Sequence, residues 1–179
     1  MLKAISSNIF LIAASDLSKE ISKIFGRQHE EKQPIVTEEM LQKFPEPVKR
    51  YLLYSGVVGK PMVQTVRLKQ VGNIRKDSTQ PWMNFEAKQY YSVNPLAFLW
   101  VAYMKFFGLP LIRVRDCYME GKGNILVKAL SLFSLANSSG EKMDQGAMMR
   151  YLNEMMWFPS AFLGKNISFE SIDANSAKV

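Results

Sequence analysis

Beginning at Met62, apolar and polar residues alternate, and turn residues cut the alternation into short runs. Side chains leave the two sides of a strand in turn, so this period commits the chain to strands that hide one face and show the other. Val66, Leu68 and Gln70 fall on one side, and Thr65, Arg67 and Lys69 on the other. Residues 82–92 suggest a second strand, and Asn94-Pro95 turns the chain. Residues 97–107 are apolar on both sides. Such a strand is covered on both faces or lines an apolar cavity. Lys105, Gly108 and Pro110 speak against a membrane span. Residues 111–120 and 125–134 flank Gly121-Lys122-Gly123-Asn124 and predict a hairpin. Asn137-Ser138-Ser139-Gly140 reads as a loop.

Helical spacing frames these strands. Ile5, Ile9, Ile12, Ala13, Leu17, Ile21, Ile24 and Phe25 recur at helical steps, with Asp16, Lys19, Glu20 and Lys23 opposite and Gly26 as a stop. A packing helix is the leading reading of residues 1–25; a signal peptide and a membrane-surface anchor are the others. The polar segment through Gln33 is a connector, so the chain divides into residues 1–33 and a sheet-bearing domain over 34–179. Thr37 caps a second helix, Pro45 and Pro47 interrupt it, and Pro47 opens a third that Gly56 closes. Asp144 predicts the cap of a helix reaching Trp157, with Met148, Leu152, Met155 and Met156 as its apolar stripe. The expected class is α+β: a curved, half-barrel-like antiparallel sheet with helices packed on one face.

Residues 167–172 resume the strand pattern, and residues 173–176 form a turn. The chain then ends shortly into the partner strand, which reads as a truncated sheet whose open edge offers self-association.

Of the 179 residues, 47% are hydrophobic, enough to fold rather than remain disordered. The net charge of +7 is concentrated: Lys43, Lys49, Arg50, Lys60, Arg67, Lys69, Arg75 and Lys76 stand against Glu46 alone in residues 42–76. Cys117 is the single cysteine, which excludes an intrachain disulfide and suits a reducing, cytoplasmic setting. His29 is the single histidine and lies in the connector, which excludes multi-histidine metal sites within one chain. No motif calls for a cofactor or metal.

The runs Phe44-Pro-Glu-Pro-Val-Lys-Arg-Tyr-Leu52, Val66-Arg-Leu-Lys-Gln70, Phe85-Glu-Ala-Lys-Gln89, Val114-Arg-Asp-Cys-Tyr118, Arg150-Tyr-Leu-Asn-Glu154, Trp157-Phe-Pro-Ser-Ala161 and Glu170-Ser-Ile-Asp173 follow in order. As a set they resemble an uncharacterised bacterial family known only as a domain of unknown function, from about Phe44 to the C-terminus. The resemblance implies a fold similar to the half-barrel of outer-membrane lipoprotein carriers. It implies no catalytic residue.

The large apolar side chains Trp100, Tyr103, Met155 and Trp157 are the candidate lining of a ligand cavity, weighed against an ordinary core. Glu86, Asp116, Arg150 and Glu154 are the candidate polar site, weighed against an ion pair that fixes the helix on the sheet. The leading function is binding of a lipid or other hydrophobic small molecule in the hollow of the sheet, with the basic stretch favouring anionic headgroups or a membrane surface. A second is an interaction module that presents residues 42–76 to an acidic protein or nucleic acid, although no nucleic-acid recognition motif accompanies them. A third is an enzyme using Asp116 and Glu86.

Overall fold

The computed structural model describes residues 17–26, 33–75, 77–106 and 109–179. They fall into two compact units, one holding residues 17–26 and the described residues of 65–151, the other residues 33–64 and 152–179. The proposed helical positions at residues 1–16, and His29, lie outside the described residues.

The first unit is an open six-stranded antiparallel meander in the order β1 (Thr65–Ile74), β2 (Met83–Ser92), β3 (Ala97–Phe106), β4 (Leu109–Met119), β5 (Lys122–Ala129) and β6 (Phe133–Ser138). The class and the strands expected from the alternation are present. Two differences concern the last hairpins. Glu120 and Gly121 alone make the β4–β5 turn, both at positive φ, so β5 begins at Lys122. The run to residue 134 is also broken, because Leu130 and Ser131 take φ of 51° and 60° and start a further hairpin. The first half of the segment read as a loop, Asn137-Ser138, therefore belongs to β6, and Ser139-Gly140 remain outside it. Register shifts at Met104/Lys105 and Val127/Lys128 mark bulges, which bend a sheet.

Register gives each face its composition. One face carries Leu68, Gln89, Trp100, Asp116 and Ile125 side by side, and Gln70, Ala87, Ala102, Val114 and Val127 in the next row. The helix α4 (Glu141–Glu154) covers this face: Tyr151 packs edge-on against Tyr91 and donates a 2.9 Å hydrogen bond to the Ser92 carbonyl. The opposite face meets a helix at residues 17–25, α1, whose Leu17, Ile21, Ile24 and Phe25 pack with Leu99, Val101 and Cys117. That covers β3 on both sides, as its two-sided apolarity requires, and it places helices on both faces of the sheet.

The buried side of α4 is not the methionine stripe. Ala147 and Tyr151 are buried; of the expected stripe, Met155 is buried just past the end of α4, Leu152 is half-buried, and Met148 and Met156 are exposed. The cause is Gly123. A Cβ there would lie 2.4 Å from the Met143 carbonyl oxygen and 2.8 Å from the Ala147 Cβ, so the helix backbone comes down onto β5 at this point. Close approach selects the small residue and turns the longer methionines outward. Asp144 likewise is not the cap. It accepts from the Gly123 backbone N–H (2.8 Å) and Lys122 Nζ (2.9 Å), while α4 starts earlier at Glu141.

The second unit holds α2 (Glu38–Leu41) and α3 (Glu46–Tyr54). Thr37 caps α2 through its hydroxyl, and Gly56 follows α3 at φ 66°, both as the sequence indicates. Val36, Leu41, Leu52, Val57 and Leu163 form the core of this unit. Short β7 (Glu170–Ser171) and β8 (Ala177–Lys178) pair across the expected turn.

Candidate functional site

The named candidates distribute over both faces and both units. Trp100 and Tyr103 are three residues apart on β3 and therefore project to opposite faces, while Met155 and Trp157 belong to the second unit. Trp100 and Tyr103 therefore do not line one face of the sheet together. Glu86 shares a face with Tyr103, and Asp116 shares the other with Trp100, so the two carboxylates do not converge as an acid–base pair. Glu154 ends α4, in the second unit.

Beneath α4 the side chains are densely tied. Trp100 donates its indole N–H to Gln70 Oε1 (2.7 Å), and Gln70 donates to Gln89 Oε1 (3.1 Å). Arg150 is ion-paired with Asp116 at 2.5 Å and lies over the rings of Phe98 and Trp100. Burial raises the Tyr151 phenol far above its ordinary range, so it stays a donor at any physiological pH. This face is a polar network in an aromatic setting.

The face under α1 is different. Its rows read Lys69, Lys88, Val101, Arg115, Leu126 and then Val71, Glu86, Tyr103, Arg113, Lys128. Arg67 and Lys105 join the same face, and Arg67 stacks on Phe25 of α1 at 4.4 Å. Arg67, Lys69, Lys88, Lys105, Arg113, Arg115 and Lys128 thus fall on this face, and the rows under α4 carry no lysine or arginine; Lys122, at the start of β5, instead reaches Asp144 of α4. The acidic residues here are Glu86, held by Lys105 at 2.5 Å, and Glu20 of α1, held by Arg115 at 2.5 Å. Burial pushes the Cys117 thiol up, which keeps it protonated and makes it a packing residue below Ile24.

Depressions open on this side among the described residues. A groove of about 440 Å3 is lined by Leu17, Lys69, Val71, Glu86, Lys88, Val101 and Tyr103 together with Gln70 and Ala87. A cavity of about 150 Å3 is lined by Glu20, Arg113, Arg115, Leu126 and Lys128. Another of about 400 Å3 lies near Lys23, Ile24, Leu96 and Met119. The first two adjoin, because Tyr103 of the groove pairs directly with Arg113 of the cavity. Among the described residues no cluster of histidine, cysteine, aspartate and glutamate is suited to a metal, and no helix is long and apolar enough to cross a membrane.

Sequence reading singled out Arg67 and Lys69 but missed Lys88, Lys105, Arg113, Arg115 and Lys128. Their signal was available: each falls on the Tyr103 side of its own strand by simple alternation. It was hidden because the same stretch of chain is balanced overall by acids that belong to other elements.

Residues 34–179 match the sequence model of a family described as a family of unknown function (DUF6544). No curated protein and no solved structure matches the chain.

Proposed function

The chain belongs to this family of unknown function, and we propose that its sheet unit binds an acyl-chain amphiphile in the groove between α1 and strands β1–β3. The observation that carries the reading is the groove itself. Its volume of about 440 Å3 lies within the range of small-molecule sites, roughly 300–1,000 Å3. Leu17, Val71, Val101 and Tyr103 give it an apolar floor and wall, and Lys69 and Lys88 stand at its side with aliphatic stems and charged ends. Val71 is 81% exposed on this strand, an apolar side chain presented to solvent beside other apolar groups. Binding rather than catalysis fits the carboxylates, since Glu86 is engaged by Lys105 and Asp116 by Arg150 on the other side of the sheet.

An acyl chain carrying a polarity-sensitive fluorophore tests the reading. The expected result is saturable binding, weakened about tenfold by Val71→Asp, which places a charge on the groove wall at an exposed position and leaves the fold intact. Absence of saturable binding, or binding indifferent to Val71→Asp, overturns it.

The basic face also suits an interaction module for acidic macromolecules, and one observation favours that second reading: Lys69 and Lys88 are both exposed and directly opposed on β1 and β2. Against it, α1 occupies the middle of the same face and stacks on Arg67. Loss of chain binding to short single-stranded nucleic acid at physiological salt, with acyl-probe binding retained, separates the two.

A further inference from the structure

We infer that Arg113, Arg115 and Lys128 form a receptor for a phosphate monoester, so that the ligand of the adjoining groove is an acyl-chain phosphate; the acyl part rests on the function proposed above. Arg113 is only 8% exposed, and its Nε has no hydrogen-bond partner. Among the described residues no carboxylate pairs with Arg113 or Lys128. Register sets these two cations directly opposite each other on β4 and β5. Like charges so placed repel, and a buried cation without a counter-charge is unfavourable in the free protein. Packing alone gives no reason to keep such a pair.

Charge selects the ligand. Glu20 is committed to Arg115, which it meets through Nη2 at 2.5 Å and Nε at 2.9 Å. The cavity therefore holds three side-chain cations against one carboxylate, an excess of two positive charges. A phosphate monoester carries about −1.5 to −2 at neutral pH and matches that excess, whereas a carboxylate leaves one cation uncompensated. The arginine fork presents paired N–H donors to tetrahedral oxygens. The cavity of about 150 Å3 holds the volume of about five waters, room for one such head. At a strand spacing of about 4.8 Å, the centre of the groove on β2 and the cavity between β4 and β5 are about 12 Å apart, and Tyr103 bridges them.

The test titrates the full chain by calorimetry with three probes: a lysophosphatidic acid, the monoacylglycerol of the same acyl chain, and inorganic phosphate. The phosphorylated lipid is expected to bind at least tenfold tighter than the monoacylglycerol. Arg113→Met and Lys128→Met are expected to abolish that preference and leave monoacylglycerol affinity unchanged. Because Arg113 lacks a structural partner, ligand-free Arg113→Met is expected to melt at or above the wild-type temperature. Equal affinity for the two lipids overturns the anion receptor while leaving the groove reading standing. Inorganic phosphate bound as tightly as the lipid, with sensitivity to Arg113→Met, supports the receptor but identifies its source as free phosphate and rejects the acyl part. A lower melting temperature for ligand-free Arg113→Met, with the lipid preference retained, assigns Arg113 to the fold and overturns the inference.

Discussion

Arg150 of α4 meets Asp116 of β4 at 2.5 Å, with its guanidinium over Phe98 (5.0 Å) and Trp100 (5.3 Å). One side chain thus docks the helix through an ion pair and through the faces of two rings. Asp116 is 7% exposed, so losing its partner leaves a charge in a site poor in water. Asp116→Asn or Arg150→Met is expected to lower unfolding free energy by about 3–5 kcal/mol in urea titrations. Replacing both together, Asp116→Leu with Arg150→Met, should cost clearly less than the sum of the singles, because no orphaned charge remains. Additive losses would show that the pair does not act as a unit.

Gly123 sits where α4 comes down onto β5. Gly123→Ala places a methyl 2.4 Å from the Met143 carbonyl oxygen, so either the helix lifts or the strand bends. Overpacking of this kind costs about 1–3 kcal/mol. Backbone is the obstacle here, and no side-chain rotation relieves it. A variant with wild-type stability would mean that α4 shifts without loss.

The Tyr151 hydroxyl donates to the Ser92 carbonyl in a buried setting. Tyr151→Phe keeps the ring against Tyr91 and removes only that bond, for an expected loss of about 0.5–1.5 kcal/mol. Tyr151→Ala loses the ring as well and should fall by several times more, about 3–5 kcal/mol.

Asp144 supplies the acid response. Its hydrogen bonds from Lys122 and the Gly123 backbone hold its carboxyl below the ordinary range. A carboxyl lowered in the folded state contributes stability that is complete above its unfolded value, about 3.9, and is lost as pH falls through the folded value. Asp144→Asn should therefore melt below wild type at neutral pH and converge with it once pH has fallen through the folded-state value. A constant gap in melting temperature across that range would remove Asp144 from the acid response.

Much of the architecture was readable because period-two alternation reports strands directly, and Thr37, Pro47 and Gly56 are local signals that act within a few residues. What was misread depended on distant contacts. The phase of α4 is set by Gly123, some twenty residues away in sequence, and methionine-rich composition pointed to the wrong side. The single cap assigned to Asp144 failed for the same reason, since its partners are on β5. The basic face was divided among β1, β2, β3, β4 and β5, so counting charge along the chain found only its first strand. The candidate polar site was half of a real contact: Asp116 and Arg150 meet, but Glu86 lies on the far side of the sheet with Lys105.

Lys69 and Lys88 offer a test in which stability and binding move in opposite directions. They are directly opposite across β1 and β2, both exposed, and both line the proposed groove. Like charges in that arrangement cost the folded protein about 0.2–1 kcal/mol, and an opposite-charge pair gains a similar amount. Lys88→Glu is therefore expected to raise the unfolding free energy slightly, by about 0.5 kcal/mol at low salt. The gain should shrink toward zero at 1 M salt, where the screening length falls to about 3 Å. The same change replaces an attraction for an anionic amphiphile with a repulsion and should weaken binding of the lysophosphatidic acid more than that of the monoacylglycerol. A merely structural lysine gives a stability change and leaves the two lipids equally affected. A lysine kept for its ligand gives a more stable protein that binds the acidic lipid less well.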